Sequence, residues 1–231
     1  MSFSLLCLPF SGGGAGFFRP WGNLGVPGVE VVPLQLPGRE ERYAESPHFV
    51  LENAVADLAS QAERLTADRR PIAIFGHSRF GAVLAFELAR RLESRPQFDL
   101  IRLFVSGSPG PRVRPPRISD LADEDFLIRV EEMSGYRHAA FDHPQLRDLL
   151  LPLLRADTAI HEDYEPFSDA PLSTPITSVR GTHDVLAPRE LAELWGAVTS
   201  KPFEILEMPG GHMYLTESSR VLLEKIVENC K

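Results

Sequence analysis

Short, unbroken apolar runs alternate with longer amphipathic stretches, and this alternation restricts the fold more than any other feature of the chain. Uninterrupted runs of Val, Ile, Leu and Phe are typical of parallel strands that are covered on both faces. The six candidate strands are Ser4–Leu8, Val29–Leu34, Pro71–Phe75, Leu100–Ser106, Ile176–Val179 and Phe203–Met208. Strands alternating with helices predict an α/β fold with a mostly parallel central sheet flanked by helices.

The stretches between these strands carry helical patterns. We expect helices at Val50–Leu65, Gly81–Glu93, Arg189–Val198 and Glu217–Asn229. In the last of them, Val221, Leu222, Ile226 and Val227 lie about one turn apart and form one apolar face. No internal repeat or linker interrupts the order, so residues 1–231 are expected to form one domain.

Residues 109–169 break the alternation. The segment opens with a proline-rich stretch that cannot form a helix. Two helical patterns follow, near Ser119–Met133 and Pro144–Tyr164, and Ser119 with the acids after it predicts a capped helix start. This is longer than a simple crossover between parallel strands, and we therefore predict a helical lid over one end of the sheet.

Composition excludes several classes of function. The net charge of −8 argues against nucleic acid or an anionic membrane as a partner. No apolar run approaches the ~18 residues of a membrane helix. Cys7 and Cys230 lie far apart and form neither a disulfide framework nor a metal-binding motif, so we expect a protein of the reducing cytoplasm.

Residues 75–82, FGHSRFGA, lie where the third predicted strand ends and a helix begins. A serine on such a tight turn projects its hydroxyl above the sheet, beside the N-terminus of the helix, so Ser78 is the candidate nucleophile. The usual pattern is Gly-x-Ser-x-Gly, but here Phe80 takes the second glycine's place and Gly81 follows one residue late. Either the helix begins with a bulged residue, or the turn is distorted and weakly active.

Two later segments place an acid and a base at the same edge of the sheet. Asp184 follows the strand Ile176–Val179, and His212 follows the strand Phe203–Met208 after two glycines. With Ser78 they occur in the chain order of the α/β-hydrolase catalytic triad. In such a triad the histidine takes the serine proton, and the aspartate holds the imidazole in the right tautomer.

Other candidates are weaker. His183 is a rival for the base, but it adjoins Asp184 in the loop that carries the acid. The remaining histidines show no metal-ligand spacing, so no metal is expected. The glycine-rich turn at 9–16 lacks the Gly-Lys-Ser/Thr of a phosphate loop and suits an oxyanion hole instead, for which we expect the backbone amides of Ser11 and Arg79.

Several motifs together resemble those of the external, type II thioesterases that accompany nonribosomal peptide and polyketide synthases. The resemblance covers nearly the whole chain, and the LPGR and LLRAD segments are more specific to this family than the serine motif. The matching segments are PFSGG at 9–13, FRPW at 18–21, QLPGREER at 35–42, AFELAR at 85–90, LPLLRAD at 151–157, GTHD at 181–184 and GGH at 210–212.

This resemblance implies a stand-alone hydrolase of the α/β-hydrolase fold. Its substrates would be aberrant or stalled acyl thioesters on the phosphopantetheine arm of an acyl or peptidyl carrier protein, and it would need no cofactor of its own. The resemblance also implies a monomer with a helical lid that shapes the acyl pocket. Two alternatives stay open: a carboxylester hydrolase with the same triad, and a catalytically impaired relic that only binds carrier proteins.

Arg112, Arg114 and Arg117 are the candidate docking residues for the carrier protein. Carrier proteins are usually acidic and this chain is acidic too, so docking needs a local cationic patch. The three arginines lie within six residues, in a proline-stiffened segment just after a predicted strand. The alternative is that they pair with the nearby acids Asp120, Asp123 and Glu124.

Overall fold

Six strands form one sheet in the computed structural model of the chain, which describes residues 2–66, 70–136 and 139–231. They are β1 (Phe3–Leu8), β2 (Val29–Pro33), β3 (Ile72–His77), β4 (Leu100–Ser106), β5 (Ile176–Gly181) and β6 (Phe203–Met208). Their spatial order is β2-β1-β3-β4-β5-β6, and every neighbouring pair is parallel. The predicted α/β fold with a mostly parallel sheet is confirmed.

Helices cover both faces of this sheet. The α-helices in the described residues are α1 (Leu51–Leu65), α2 (Ser78–Glu93), α3 (Asp123–Ser134), α4 (Pro144–Glu162), α5 (Arg189–Ala192) and α6 (Ser219–Asn229). The predicted helix at Arg189–Val198 is α-helical for its first turn and continues as a 3₁₀ helix over Glu193–Val198.

The two faces of β1 show why the strands read as unbroken apolar runs. Leu6 and Leu8 pack into a core with residues of α1 and α2. Leu5 and Cys7 point to the opposite face and pack with Phe18 and residues of α6. Because alternate side chains enter two different cores, the strand is apolar on both faces except at Ser4, which is buried near its start.

Residues 109–169 lie between β4 and β5 and contain α3, a 3₁₀ turn at Ala139–Asp142, and α4. A third apolar cluster, which includes Phe126 of α3 and Leu154 of α4, holds these helices together. The helix start predicted at Ser119 is wrong, because α3 begins at Asp123. Instead, the hydroxyl of Ser119 bonds to the carboxylate of Glu162 near the end of α4.

The close approach of β3 to α2 depends on glycine. A Cβ added to Gly76 would lie 2.0 Å from the carbonyl oxygen of Gly81 and 2.7 Å from the Cβ of Ala85. A Cβ added to Gly81 would in turn lie 2.7 Å from the carbonyl oxygen of Pro9. The two glycines therefore let strand and helix meet directly beneath the turn at Ser78.

Replacing Gly76 with alanine should lower the free energy of unfolding by about 3 kcal/mol, the upper end of the usual cost of overpacking, because the clash is with backbone. Chemical denaturation of the two proteins measures the difference. Gly22→Ala is the matched control, since no atom lies within 4 Å of a Cβ added there. Equal midpoints for Gly76→Ala and Gly22→Ala would contradict the close packing.

Candidate active site

Ser78 occupies a strained backbone position at the carboxyl edge of the sheet. It is the first residue of α2, directly after β3, and its φ of 59° lies in the left-handed region. Among the described residues only Glu40 shares a positive φ without being glycine. Strain of this kind clusters at functional sites, and here it projects the hydroxyl away from both the strand and the helix.

Three side chains predicted to act together form a chain of hydrogen bonds at this edge. The Oγ of Ser78 lies 3.1 Å from Nε2 of His212, and Nδ1 of His212 lies 3.0 Å from Oδ2 of Asp184. Asp184 and His212 are both buried. The structure brings His212 rather than His183 to the serine, because His183 is exposed on the surface with Thr182 as its side-chain neighbour.

The extra residue after Ser78 does not bulge out. Helix α2 runs without interruption from Ser78 to Glu93, and Phe80 is buried at 1% exposure. Gly81, one residue later than usual, makes the close approach to Pro9 described above. The residue that was expected to distort the turn is therefore absorbed into a regular helix.

The two expected oxyanion donors border the same cavity as the serine. Ser11 and Arg79 line the cavity together with Ser78 and His212. The N–H of Ser11 has no backbone partner among the described residues. The N–H of Arg79 lies in the first turn of α2, where a helix provides no acceptor. Neither N–H therefore has a backbone acceptor within the described residues.

A buried ion pair that the sequence did not reveal holds the glycine-rich turn. Arg39 donates from its two terminal nitrogens to Asp157 of α4 at 2.8 and 2.9 Å, and to the carbonyl oxygen of Gly13 at 2.9 Å. The N–H of Gly12 donates to the same carboxylate at 2.8 Å. Burial raises the pKa of Asp157, against the opposing effect of Arg39. The pair ties α4 to the loop that carries Ser11.

A second buried network lies behind the serine. His77 Nδ1 lies 2.8 Å from Ser106 Oγ, which lies 2.6 Å from the hydroxyl of Tyr214. The ring centroids of His77 and His212 are 5.0 Å apart. Burial, with a smaller contribution from His212, lowers the pKa of His77 well below its ordinary value. His77 therefore stays neutral and adds no charge beside His212.

A cavity of about 810 Å³ opens at the serine. Its walls come from the glycine-rich turn, the start of α2, and the segment that contains α3 and α4. Apolar side chains such as Ile118, Leu127 and Leu154 line much of it. Such a cavity suits an acyl chain whose carbonyl carbon reaches Ser78.

The three candidate docking arginines are exposed, and each faces a carboxylate. Arg112 lies 2.5 Å from Asp169, Arg114 pairs with Glu165, and Arg117 contacts Asp163 as well as Asp120 at 2.7 Å. Of the acids named as alternatives, only Asp120 is a partner of these arginines in the described part of the chain. Ion pairs this exposed are weak and exchange easily with other partners.

Two absences hold for the described residues. No three or more His, Cys, Asp or Glu side chains within residues 2–66, 70–136 and 139–231 are grouped to hold a metal ion. Within the same ranges, no helix is both long enough and apolar enough to cross a membrane.

Comparison with known proteins agrees with this site. A family model described as "Thioesterase domain" matches residues 3–231. The gramicidin S biosynthesis protein GrsT of Aneurinibacillus migulanus is 34% identical over 95% of this chain and 86% of its own length. Thioesterase PikA5 of Streptomyces venezuelae is 36% identical over 92% of this chain and 75% of its own length.

Solved structures give the same result. RedJ, a thioesterase of the prodiginine pathway in Streptomyces coelicolor, superposes with a TM-score of 0.86 at 34% identity, covering 98% of this chain and 85% of its own. The type II thioesterase BorB of the borrelidin cluster superposes with a TM-score of 0.84 at 33% identity, covering 100% of this chain and 94% of its own. The chain therefore belongs to the thioesterase family, with the α/β-hydrolase fold that its motifs predicted.

Proposed function

We propose that this thioesterase hydrolyses acyl groups from the phosphopantetheine arm of carrier proteins in nonribosomal peptide or polyketide biosynthesis. The observation that carries the proposal is the hydrogen-bonded series Ser78, His212 and Asp184 at the wall of the 810 Å³ cavity. The pathways named for its relatives support the substrate class, since GrsT acts in gramicidin S biosynthesis and BorB belongs to the borrelidin cluster.

In the proposed acylation step, Ser78 attacks the thioester carbonyl carbon. Nε2 of His212 accepts the proton of the hydroxyl, and Asp184 stabilises the imidazolium through Nδ1–H. The negative charge that develops on the carbonyl oxygen is bound by the amides of Ser11 and Arg79. When the tetrahedral intermediate collapses, the carbon–sulfur bond breaks and the thiol of the arm leaves with the proton of His212.

In the proposed deacylation step, water replaces the thiol. His212 takes a proton from the water, which attacks the acyl carbon of the serine ester. Collapse of the second intermediate returns the proton to Ser78 and releases a carboxylic acid. The arm belongs to the partner, so this scheme needs no cofactor bound to the enzyme.

The segment 109–169 has a role in this scheme as the lid of the acyl cavity. We propose that it and the rest of residues 1–231 work as one domain. Helices α3 and α4 contribute side chains to the cavity wall, and the buried pair of Arg39 and Asp157 fastens α4 to the glycine-rich turn. The lid therefore shapes the acyl pocket and supports the position of Ser11 at once.

We also propose that the enzyme works in the cytoplasm, as a monomer beside its synthase.

An acyl-pantetheine thioester should be hydrolysed with a kcat/KM at least about tenfold above that of the oxygen ester with the same acyl group, because a thiol is much more acidic than an alcohol and leaves more readily. Steady-state kinetics with both esters measures the ratio. Preference for the oxygen ester would favour a carboxylester hydrolase. Absence of turnover, together with no labelling by a serine-reactive phosphonate, would favour a protein that only binds carriers.

The arginine segment is proposed to dock the carrier protein. Reversing the charge of Arg112 and Arg117 should raise the KM for an acyl-carrier protein about tenfold and weaken its dependence on salt, because the acidic carrier loses its cationic contact. Arg114 is left in place because it also lines the cavity. Turnover of free acyl-pantetheine should not change.

The matched control is Arg220→Glu, which reverses an exposed arginine of α6 that also pairs with a carboxylate. This variant should change neither the KM for the acyl-carrier protein nor the turnover of free acyl-pantetheine. Equal effects of the double reversal on the carrier-bound and the free thioester would assign these arginines to the lid, and no effect on either would place the docking surface elsewhere.

A further inference from the structure

The side chain of Arg79 is buried in the wall of the cavity, and no carboxylate of the described residues lies against it as a counter-ion. Arg79 is only 7% exposed and lines the cavity. Its Nε donates to the carbonyl oxygen of His161 at 3.3 Å, and Nη1 is buried with no hydrogen-bond partner. It forms no ion pair with a carboxylate in the described part of the chain. A buried cation in this state is costly unless a ligand completes its contacts.

A second unpartnered polar atom lies in the same wall. His161, in the last turn of α4, also lines the cavity, and its Nδ1 is buried with no hydrogen-bond partner. Burial and the charge of Arg79 lower the pKa of His161 to about 3, so its ring is neutral. Burial lowers the pKa of Arg79 to about 10, so the guanidinium keeps its charge at neutral pH.

Tyr164, which acts electrostatically on Arg79, is engaged with a carboxylate. Tyr164 donates its hydroxyl to Glu87 at 2.6 Å, and Arg90 lies 3.2 Å from the other oxygen of that carboxylate. Burial, followed by the charge of Glu87, raises the pKa of Tyr164, so the phenol stays neutral beside Arg79. The positive charge in the cavity wall therefore stays uncompensated within the described chain.

A purely structural role accounts for only part of this arrangement. The bond from Nε to His161 satisfies a carbonyl at the C-terminal end of α4, where cations are favoured. It leaves Nη1 without an acceptor and gives no partner to Nδ1 of His161. Two residues that line one cavity each carry a buried, unsatisfied group, and this pair indicates a missing polar ligand toward which the side chains would turn.

We propose, on the basis of the proposed function, that the acyl group accepted by this enzyme carries a carboxylate a few bonds from the thioester carbon, and that Arg79 and His161 bind that carboxylate. Arg79 follows Ser78 directly, and both residues line the same cavity. Arginine binds carboxylates through two parallel hydrogen bonds. The phosphate of the pantetheine arm lies at the opposite end of the arm from the thioester and is therefore not this anion.

The test compares pantetheine thioesters of succinate and butyrate, which have the same number of carbon atoms and differ in the terminal carboxylate. The parent enzyme should show a kcat/KM at least about tenfold higher for the succinyl thioester, as expected for a buried charge-assisted contact. In Arg79→Met the ratio of the two values should fall by at least about tenfold. Dividing by the variant's own butyryl value removes any change in the oxyanion hole. Comparing the ratio of the variant with that of the parent removes the different intrinsic reactivity of the two thioesters.

Arg91→Met is the matched control, because it removes an exposed arginine from the same helix outside the large cavity. It should leave the ratio at the parental value. Arg79→Lys should give an intermediate ratio, since lysine keeps the charge but not the paired geometry.

The outcomes separate this inference from the proposed function. Hydrolysis of both thioesters by the parent enzyme without preference for succinyl would overturn the inference and leave the thioesterase activity intact. Hydrolysis of neither would contradict the proposed function itself. If Arg79→Met does not fold, product inhibition of the parent enzyme decides: succinate should inhibit at a concentration at least about tenfold lower than butyrate, and equal inhibition would overturn the inference.

Discussion

Replacing Ser78 with alanine should reduce kcat for an acyl-pantetheine thioester by about 10⁴- to 10⁶-fold, the loss expected when the nucleophile of a serine hydrolase is removed. The reason is that Ser78 brings its hydroxyl to Nε2 of His212, at 3.1 Å. The residual rate would come from water in a site whose oxyanion donors and cavity are intact. Alanine is as strained as serine at a φ of 59°, so the stability should change little.

Steady-state kinetics and mass spectrometry after treatment with a phosphonate check this result. The parent protein should gain one phosphonyl group on Ser78, and Ser78→Ala should gain none. Ser60→Ala, an exposed serine on α1 that bonds only to the Ala56 carbonyl oxygen, is the control and should retain full activity. Parental turnover in Ser78→Ala, or labelling of another residue, would show that the nucleophile lies elsewhere.

Replacing Asp184 with asparagine should lower kcat by ~10⁴-fold with little loss of stability, by analogy with serine proteases. Oδ1 of Asp184 accepts from the N–H of Leu186 at 2.9 Å, and Oδ2 lies 3.0 Å from Nδ1 of His212. Asparagine would keep its oxygen on the Leu186 amide and turn its NH₂ toward the histidine. That NH₂ favours the tautomer that carries hydrogen on Nε2, which cannot accept the proton of Ser78.

Kinetics, with circular dichroism as the check on folding, measures this loss. His183→Ala is the comparison, because His183 is exposed beside Asp184 and should be dispensable. Retained activity in Asp184→Asn together with lost activity in His183→Ala would contradict the proposed roles of Asp184 and His212 and point to His183 instead.

The sheet was predictable from sequence, because strands covered on both faces leave long apolar runs such as Leu5–Leu8 in β1. The meeting of Ser78, Asp184 and His212 followed from the same pattern, since each residue lies in the turn or loop after a parallel strand and such ends share one edge. The start of α2 was placed too late, at Gly81. Ser78 belongs to the helix although its own φ is left-handed, and residue patterns alone do not reveal such a conformation.

The supporting contacts were not predictable, because they join residues far apart in the chain through the packing of loops. Arg39 and Asp157 are separated by 118 positions, and His77 and Ser106 by 29. The LPGR and LLRAD segments did mark Arg39 and Asp157 as characteristic of the family, but not as partners of each other. The burial of Arg79 depends likewise on where α4 ends, which helical periodicity does not determine.

The ion pair between Arg39 and Asp157 has a consequence for engineering this enzyme toward other acyl groups. It anchors the C-terminal half of α4, the half that also carries His161, to the loop beside the nucleophile. A chimera that exchanges α3 and the first turns of α4, with its junction before Leu154, would replace much of the pocket wall and inherit the anchor unchanged. A junction placed after Asp157 would take Arg39 and Asp157 from different parents. Both residues would remain, but they would be held by backbones that had not packed together before, and a change in their spacing would shift the loop that carries Ser11. Chimeras that exchange the acyl pocket should therefore have their junction within α4, before Leu154.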